Sequence, residues 1–255
     1  MNENDAKAAV KVWGELIARE RSVPTDPDPD IFRDIDALIR SLREKQVDAV
    51  GITMTEYARL RREVHFSPIF VTYNAGRTTE QCVLLSHRDG PVKSVADLRG
   101  RSLLLHTNPR ACLAPLWLDT ILVKQGHRAA ARFAGRISRD AKLSKVVLPV
   151  FFRQTDACVV TRSAFDTMAE LNPQLARQLA VLAESPEMVP AVFAFRADYN
   201  PHFKGDLIAG VNGLKRTPAG RQVLTIFHSE DIEEHPASCL DTALELIAAH
   251  EKLVR

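Results

Sequence analysis

Residues 90–110 read GPVKSVADLRGRSLLLHTNPR and contain the clearest structural signals of the sequence. Ser94 and Asp97 have the spacing of a capping-box variant, so they predict a one-turn helix that Gly100 ends. The apolar run Ser102–Leu105 is typical of a short strand buried on both faces. The stretch therefore predicts a strand that delivers its carboxyl end to a polar turn.

That polar turn is the first candidate functional feature. Asn108 predicts an N-cap and Pro109 the first helical position, so a helix N-terminus would follow the strand directly. Unpaired N–H groups and the helix dipole attract an anion there, and Arg110 adds a permanent charge. Alternatively, Pro115 interrupts such a helix, which then begins near Ala114 and leaves the turn as a loop. Many such turns in α/β proteins bind nothing.

Composition and charge are those of an ordinary globular protein. The 255 residues suffice for one large or two small domains, and a net charge of +2 argues against a dedicated nucleic-acid surface. Residues 88–188 hold 15 Lys/Arg and 9 Asp/Glu. A basic middle segment suits a lobe that receives an anion, although chance scatter of exposed charges explains it equally well.

Signals for targeting, membrane insertion and cofactors are weak in this sequence. No run reaches the roughly 18 apolar residues of a membrane helix, so no membrane insertion is expected. The amino terminus lacks the features of a signal peptide, which predicts a cytoplasmic chain if Met1 is the true start and a periplasmic one if a leader is missing. The cysteines lack metal-site spacing, so no metal or other cofactor is expected, and their disulfide state stays open.

Hydrophobic periodicity predicts strands alternating with helices. The predicted helices cover residues 5–21, 35–42, 55–64, 143–152, 165–179, 207–214, 217–227 and 237–253, with one more ending near Gly126. The predicted strands cover residues 47–52, 68–73, 81–87, 102–105, 156–161, 180–183 and 192–196. This alternation favours an α/β fold with mixed, largely parallel sheets flanked by helices.

Two extended segments near residues 81–88 and 184–196 bracket the basic middle of the chain. They predict two hinge crossings, through which a second lobe of residues 88–189 is inserted into a first lobe. The first lobe is then discontinuous, with residues 1–87 and 190–255. Ligands would bind between the lobes, where strand carboxyl ends meet helix N-termini.

Four segments carry a resemblance to a known family: 48–57 (DAVGITMTEY), 93–100 (KSVADLRG), 156–161 (DACVVT) and the helical ending. The chain resembles type 2 periplasmic binding proteins, and within them the phosphate, phosphite and phosphonate substrate-binding family of ABC transporters. The resemblance implies a two-lobed fold, a small oxyanion ligand, and an ABC permease as partner if the chain is exported. It also implies a monomer, and that a leader and a first strand are missing before the first helix.

The sequence departs from this family at the anion turn. The phosphonate binders resembled here use a Ser/Thr-rich turn, whereas this chain has Pro109, Ala111 and Cys112 there. Thr107, Asn108, Arg110 and backbone N–H groups are the expected substitutes. Relatives that bind aminophosphonates place a carboxylate after the strand that matches 157–161, where this chain has Thr161 followed by arginine. The resemblance therefore favours a plain oxyanion over an ammonium-bearing ligand.

The candidate ligand-binding residues lie at predicted strand ends, turns and the first helix start. They are Asn4, Thr53, Thr55, Tyr57, Tyr73, His106, Thr107, Asn108, Arg110, Ala111 and Thr161. For Tyr57, donation to a ligand and packing on the sheet are equally favoured, and Tyr73 is favoured as a core aromatic. His106 is favoured as a cleft-lining or structural residue over a catalytic base, and Cys112 as a small buried side chain over a nucleophile.

Taken together, these features favour a solute-binding protein that closes two lobes over an oxyanion and performs no chemistry. Two alternatives remain. The first is a cytoplasmic enzyme on the same fold, of the menaquinone-precursor or thiamine-precursor type. The second is a ligand-sensing domain. Fold alone does not separate the three.

Overall fold

Two mixed β-sheets with helices packed on them organise the chain. The computed structural model describes residues 3–21, 26, 29–227 and 229–253. The chain divides into two units, each with its own sheet. The first unit is Met1–Ile52, Glu56–Thr78 and Ala191–Cys239, and the second is Thr53–Thr55, Thr79–Pro190 and Leu240–Arg255.

The described residues form eleven α-helices and nine strands. The helices are α1 (Glu3–Arg21), α2 (Ile35–Arg43), α3 (Met54–Leu60), α4 (Ala114–Lys124), α5 (Ala130–Phe133), α6 (Leu143–Phe151), α7 (Arg162–Leu171), α8 (Pro173–Gln178), α9 (Pro201–Gly213), α10 (Pro218–Ile226) and α11 (Asp241–Leu253). The strands are β1 (Ala49–Thr53), β2 (Phe66–Tyr73), β3 (Cys82–His87), β4 (Ser102–His106), β5 (Arg136–Asp140), β6 (Ala157–Thr161), β7 (Leu179–Glu184), β8 (Ala191–Arg196) and β9 (Asp231–His235). One-turn 3-10 helices cover Val95–Leu98, Pro109–Ala111, Leu214–Arg216 and Ala237–Leu240.

The first unit has a four-stranded sheet in the order β1-β8-β2-β9, with β2 antiparallel to β8 and β9. Aromatic side chains dominate its core. Phe70 is fully buried and lies 6.0 Å, ring to ring, from Phe195. Trp13 of α1 packs edge-on against Phe193 with ring centroids 4.5 Å apart. These rings fix α1 against the sheet through burial and edge-to-face contact.

The second unit has a five-stranded sheet in the order β5-β4-β6-β3-β7. Alternate residues of β4 enter different cores: Leu103 and Leu105 pack on the side of α4, and Leu104 packs on the side of α6. Strand β4 is parallel to both β5 and β6. The carboxyl ends of these three strands therefore lie at one edge of the sheet.

The predicted α/β architecture with mixed sheets is confirmed, but parallel pairing is less extensive than expected. It joins β4 to β5 and β6, whereas β3 is antiparallel to β6 and β7, and β2 to β8 and β9. The reason is connectivity. Parallel pairs arise where a helical crossover joins strands of one sheet, and several consecutive strands here lie in different sheets.

Several element bounds differ from the predicted ones. Helix α1 begins at Glu3, so Asn4 lies inside it and does not precede it as a cap. The predicted helix 165–179 is broken because Asn172 caps α8 and Pro173 begins it. Strands β5 and β9, which read RISRD and DIEEH, were not predicted. Both lie at sheet edges, where charged residues are tolerated and a strand pattern is weak.

The observed units also differ from the predicted lobe boundaries. Residues 79–87 belong to the second unit because β3 pairs there with β6 and β7. Residues 240–255 belong to it as well, and His250 of α11 lies 3.2 Å from the carboxylate of Asp119 on α4. None of the described helices is long and apolar enough to cross a membrane. None of the four cysteines, all of which are described, forms a disulfide.

Candidate ligand-binding site

A cavity of about 410 Å³ lies at the carboxyl ends of β4 and β5. Parallel pairing of Leu105 with Arg139 and of His106 with Asp140 brings these strand ends side by side. The cavity wall consists of Thr53, Leu105, His106, Thr107, Asn108, Pro109, Ala111, Cys112, Pro115 and Arg139. All of these residues belong to the second unit, and half of them come from the turn after β4.

The turn after β4 is a short capped loop and not the start of a long helix. The Oδ1 atom of Asn108 accepts a hydrogen bond of 3.0 Å from the N–H of Ala111, as an N-cap does. Pro109 begins only a one-turn 3-10 helix, and the regular helix α4 begins at Ala114. The alternative start near Ala114 is therefore confirmed. Pro115 is tolerated because it lies in the first turn of α4, where its missing N–H is not needed.

His106 is a buried part of this wall and has partners at both ring nitrogens. Its Nε2 lies 3.2 Å from the carbonyl oxygen of Ala141, and its Nδ1 lies 3.3 Å from Nδ2 of Asn108. Burial lowers the pKa of His106, although the Ala141 hydrogen bond and the charge of Asp140 act in the opposite direction. The imidazole is consequently neutral at pH 7.

The charged and donor groups of the wall are suited to an anion. Arg139 is exposed and forms no ion pair within the part of the chain that the structure describes. None of the described residues in the wall is an Asp or a Glu. The backbone N–H of Thr107 donates to the Asp140 carbonyl at 3.0 Å, which leaves the exposed Thr107 hydroxyl at the cavity. A guanidinium, hydroxyls and an amide can together bind an oxyanion.

Arg110 does not line the cavity, although it lies in the same turn. Its Nε lies 3.5 Å from Oε2 of Glu80, whose side chain is 6% exposed. The same carboxylate accepts hydrogen bonds from the hydroxyl and the N–H of Ser163. The cation of the turn is thus already partnered by a protein carboxylate.

The chain matches a family of known proteins over almost its whole length. The model of the family described as "ABC transporter, phosphonate, periplasmic substrate-binding protein" matches residues 2–238. This chain belongs to that family. The description of the phosphonate-binding family is that of a transport component and not of an enzyme.

Solved structures of other proteins share the fold of this chain. The Xanthomonas citri protein XAC2383 bound to ATP has a TM-score of 0.74 at 17% identity, over 98% of this chain and 94% of that one. PhnD1 from Prochlorococcus marinus (MIT 9301) in complex with methylphosphonate has a TM-score of 0.67 at 14% identity, over 99% and 95%. At such identities these likenesses establish a shared two-lobed periplasmic-binding-protein fold.

A curated relative matches this chain over only part of its length. The arginine-binding extracellular protein ArtP of Bacillus subtilis (strain 168) is 23% identical over 165 residues, which is 65% of this chain. The match covers 57% of ArtP. The chain therefore spans little more than half the length of that relative.

Five of the predicted ligand-binding residues line the cavity of this phosphonate-binding family member: Thr53, His106, Thr107, Asn108 and Ala111. Thr55 is not part of the wall, but its hydroxyl oxygen lies 3.0 Å from that of Thr53. Thr161 is buried away from the wall and caps α7, where it accepts a hydrogen bond of 3.4 Å from Ala164. The side chain of Asn4 lies outside the described residues.

The two predicted tyrosines lie in the first unit and do not line this cavity. Tyr57 is 5% exposed, its ring lies 5.9 Å from that of Phe66, and burial raises its pKa. This is the packing arrangement that the sequence left open. The Tyr73 hydroxyl donates to Oε2 of Glu233 at 3.1 Å, which commits it to a contact with β9.

Sequence reasoning missed Arg139, the exposed arginine of the described wall. Its strand was not predicted, because RISRD contains a single strongly apolar residue, Ile137. The available signal was Ile137 between polar residues, following a helical crossover from a buried strand. In an α/β sheet such a segment is a candidate edge strand, and its end lies beside the end of the strand it follows.

Proposed function

We propose that this protein is a solute-binding protein that holds a small phosphorus oxyanion, of the phosphate, phosphite or phosphonate class, in the cavity at the ends of β4 and β5. The observation that carries the proposal is Arg139, a cation at a wall in which none of the described residues is a carboxylate. Family membership supports it, and the Prochlorococcus relative contains methylphosphonate. The two units are then the two lobes, and the protein passes its ligand on unchanged.

In this proposal the polar and apolar parts of the wall have separate tasks. The guanidinium of Arg139 and the hydroxyls of Thr107 and Thr53 donate to the oxygens on phosphorus. Leu105 and Pro115 contact the remaining substituent, so a hydrogen or a small alkyl group is accommodated. A ligand that carries an ammonium group finds no carboxylate in the described wall and gains nothing from that group.

The transport role and the place of action extend the same proposal. An ABC permease receives the ligand, and the protein acts as a monomer outside the cytoplasm. The family description, which names a periplasmic protein of an ABC transporter, supports the permease partner and the location. The ligand is bound and released without any bond being made or broken in it.

Isothermal titration calorimetry of the purified chain tests the ligand class directly. The panel consists of methylphosphonate, phosphate, phosphite, 2-aminoethylphosphonate, sulfate and ATP, the last because the Xanthomonas citri relative contains it. At least one of the first three is expected to bind more tightly than 2-aminoethylphosphonate. Binding of none of the phosphorus oxyanions would overturn the proposal.

A pair of arginines on β5 gives a matched test of the site. Arg139→Ala is expected to weaken binding by about a hundredfold, because charge-assisted hydrogen bonds to an oxyanion are each worth about 1.5–3 kcal/mol. Arg136→Ala removes the same charge three residues earlier, outside the cavity wall and on the other face of the strand. It is expected to change affinity less than twofold. Equal losses in both variants would place the ligand elsewhere.

A further inference from the structure

We propose that His106 is a positioning residue for the ligand site, and that it fixes the side chain of Asn108 as a hydrogen-bond donor in the cavity wall. This inference rests on the proposed function, since it concerns how the same cavity receives its ligand. Both residues line the cavity, and they are hydrogen-bonded to each other through Nδ1 of His106 and Nδ2 of Asn108.

Two independent contacts define which atoms donate. A carbonyl oxygen only accepts, so the 3.2 Å contact with Ala141 requires a proton on Nε2 of His106. Nδ1 of the neutral ring is then an acceptor. On the other side, the Ala111 N–H donates to Oδ1 of Asn108, which leaves the amide nitrogen facing His106. The Nε2–H tautomer of His106 follows from the Ala141 contact, and the orientation of the Asn108 amide follows from the Ala111 contact. Together they place a donor of Asn108 opposite an acceptor of His106.

The three hydrogen bonds run in one direction. Ala111 donates to Asn108, Asn108 donates to His106, and His106 donates to Ala141. A flipped Asn108 would place its oxygen against the Nδ1 lone pair and its nitrogen against the Ala111 N–H. Both hydrogen bonds would then be lost. The three hydrogen bonds form a relay from Ala111 through Asn108 and His106 to Ala141, and this relay holds the amide of Asn108 in a single orientation.

The relay works only while the imidazole is neutral. A proton on Nδ1 would face the amide N–H of Asn108, so two donors would oppose each other. The charged groups of the neighbouring elements are Asp140 and Arg139 on β5, with Lys142 and Lys145 beside Asp140. Arg110 of the turn is occupied by Glu80.

Protonation of His106 therefore acts on the ligand through Asn108. The ring nitrogens point at Ala141 and Asn108, both of which are protein groups. When the relay breaks, Asn108 loses its fixed orientation and an oxyanion loses a preorganised donor. A charged ring also attracts the oxyanion directly, so the contribution of Asn108 is measured at a pH at which His106 is neutral.

Nitrogen-15 NMR of the histidine rings tests the relay without any ligand. At pH 7.5 His106 is expected to show a protonated Nε2 and an unprotonated Nδ1. Asn108→Ala removes the partner of Nδ1 and is expected to shift that nitrogen's resonance. A ring protonated at Nδ1 in the wild type would overturn the proposal, whatever the protein binds.

Titration with methylphosphonate tests the consequence for binding. His106→Asn keeps an acceptor near the position of Nδ1 but does not titrate, whereas His106→Leu has no acceptor. At pH 8 the Asn variant is expected to bind within threefold of wild type, and the Leu variant about tenfold more weakly.

The outcomes separate this inference from the proposed function. If wild type binds no phosphorus oxyanion, the proposed function fails, and the NMR result still judges the relay. If wild type binds and the Leu variant at pH 8 binds as tightly as the Asn variant, the positioning role fails while the function stands. Thermal melting of both variants checks that they fold. If the Leu variant does not fold, a loss of affinity well beyond threefold in the Asn variant at pH 8 overturns the positioning role.

Discussion

Strands β4 and β6 end at the same edge of the second sheet, and each is followed by a capped helical turn. Asn108 caps the turn after β4, and Thr161 caps the helix after β6. Beyond the caps the two ends differ. After β6, the buried carboxylate of Glu80 accepts the hydrogen bonds of Ser163, whereas the turn after β4 lines a cavity without a described carboxylate.

The comparison explains why a capped helix start is a weak sign of a ligand site. Its donors attract any anion, and a carboxylate of the same chain is as good as a solute. Two arginines show the same division: Arg110 is paired with Glu80, and Arg139 forms no ion pair among the described residues. In the proposed function, the ligand binds at the strand end at which the protein has not supplied its own anion.

The end of β4, which has no carboxylate in its described wall, is the open end, and the end of β6, beside Glu80, is the filled end. Placing a carboxylate in the open end should remove this difference, and it is the largest effect we expect. Asn108→Asp keeps an oxygen for the Ala111 cap, so the fold should be retained. Like charges about 4 Å apart repel by about 4 kcal/mol at an effective dielectric of about 20, so oxyanion affinity should fall by up to about a thousandfold. The loss is smaller where the new carboxylate draws a proton onto Nδ1 of His106, so it is measured at pH 8. Calorimetry measures this loss. Asn172→Asp, the same change at the exposed cap of α8, is the control and should leave affinity unchanged.

Removing the carboxylate from the filled end should cost folding stability. Glu80→Ala leaves Ser163 and Arg110 without their acceptor, and breaking a buried charged pair costs about 3 kcal/mol of unfolding free energy. Urea denaturation measures this change. Glu187→Ala, which removes a nearby exposed carboxylate, should cost less than about 0.5 kcal/mol. A loss of the same size in both variants would show that Glu80 is not special.

The open end was largely predictable because its signals are local. The apolar run of β4, the Asn108 cap and the proline after it lie within a few residues of one another, and the structure places them as the pattern predicts. The alternative helix start near Ala114 was also indicated by a neighbouring residue, Pro115. Short-range rules on caps and prolines therefore predicted the turn that supplies half of the residues of the cavity wall.

The charged side chains at the two strand ends, Glu80 and Arg139, were not predictable from the sequence, because their positions depend on long-range strand pairing. Glu80 is 30 residues away from Arg110 in the chain and meets it only after β3 has paired with β6. Arg139 reaches the cavity only because β5 pairs in parallel register with β4. Neither pairing has a sequence signal as strong as a cap, so Arg110 was favoured as the anion-binding cation.

Arg110→Ala tests whether Arg110 binds the ligand or pairs with Glu80. If Arg110 serves Glu80, its removal should lower unfolding stability by about 2 kcal/mol, since a buried carboxylate loses a charged partner. Methylphosphonate affinity should change less than threefold, in contrast to Arg139→Ala. Denaturation and calorimetry on the same preparations give both quantities. Loss of binding with unchanged stability would instead return Arg110 to the ligand site.

The smallest expected effect is the pH dependence of stability that His106 contributes. Burial lowers the folded-state pKa of His106 below its ordinary value of 6.5, so the unfolded chain takes up the proton first as the pH falls. This contribution is fully present above about pH 7 and declines from the unfolded pKa down to the folded pKa. One proton changes stability by at most about 1.4 kcal/mol per pH unit. Urea denaturation from pH 8 to pH 5 should therefore show wild type losing stability relative to His106→Asn, and parallel profiles would mean that the neutral ring is not favoured by folding.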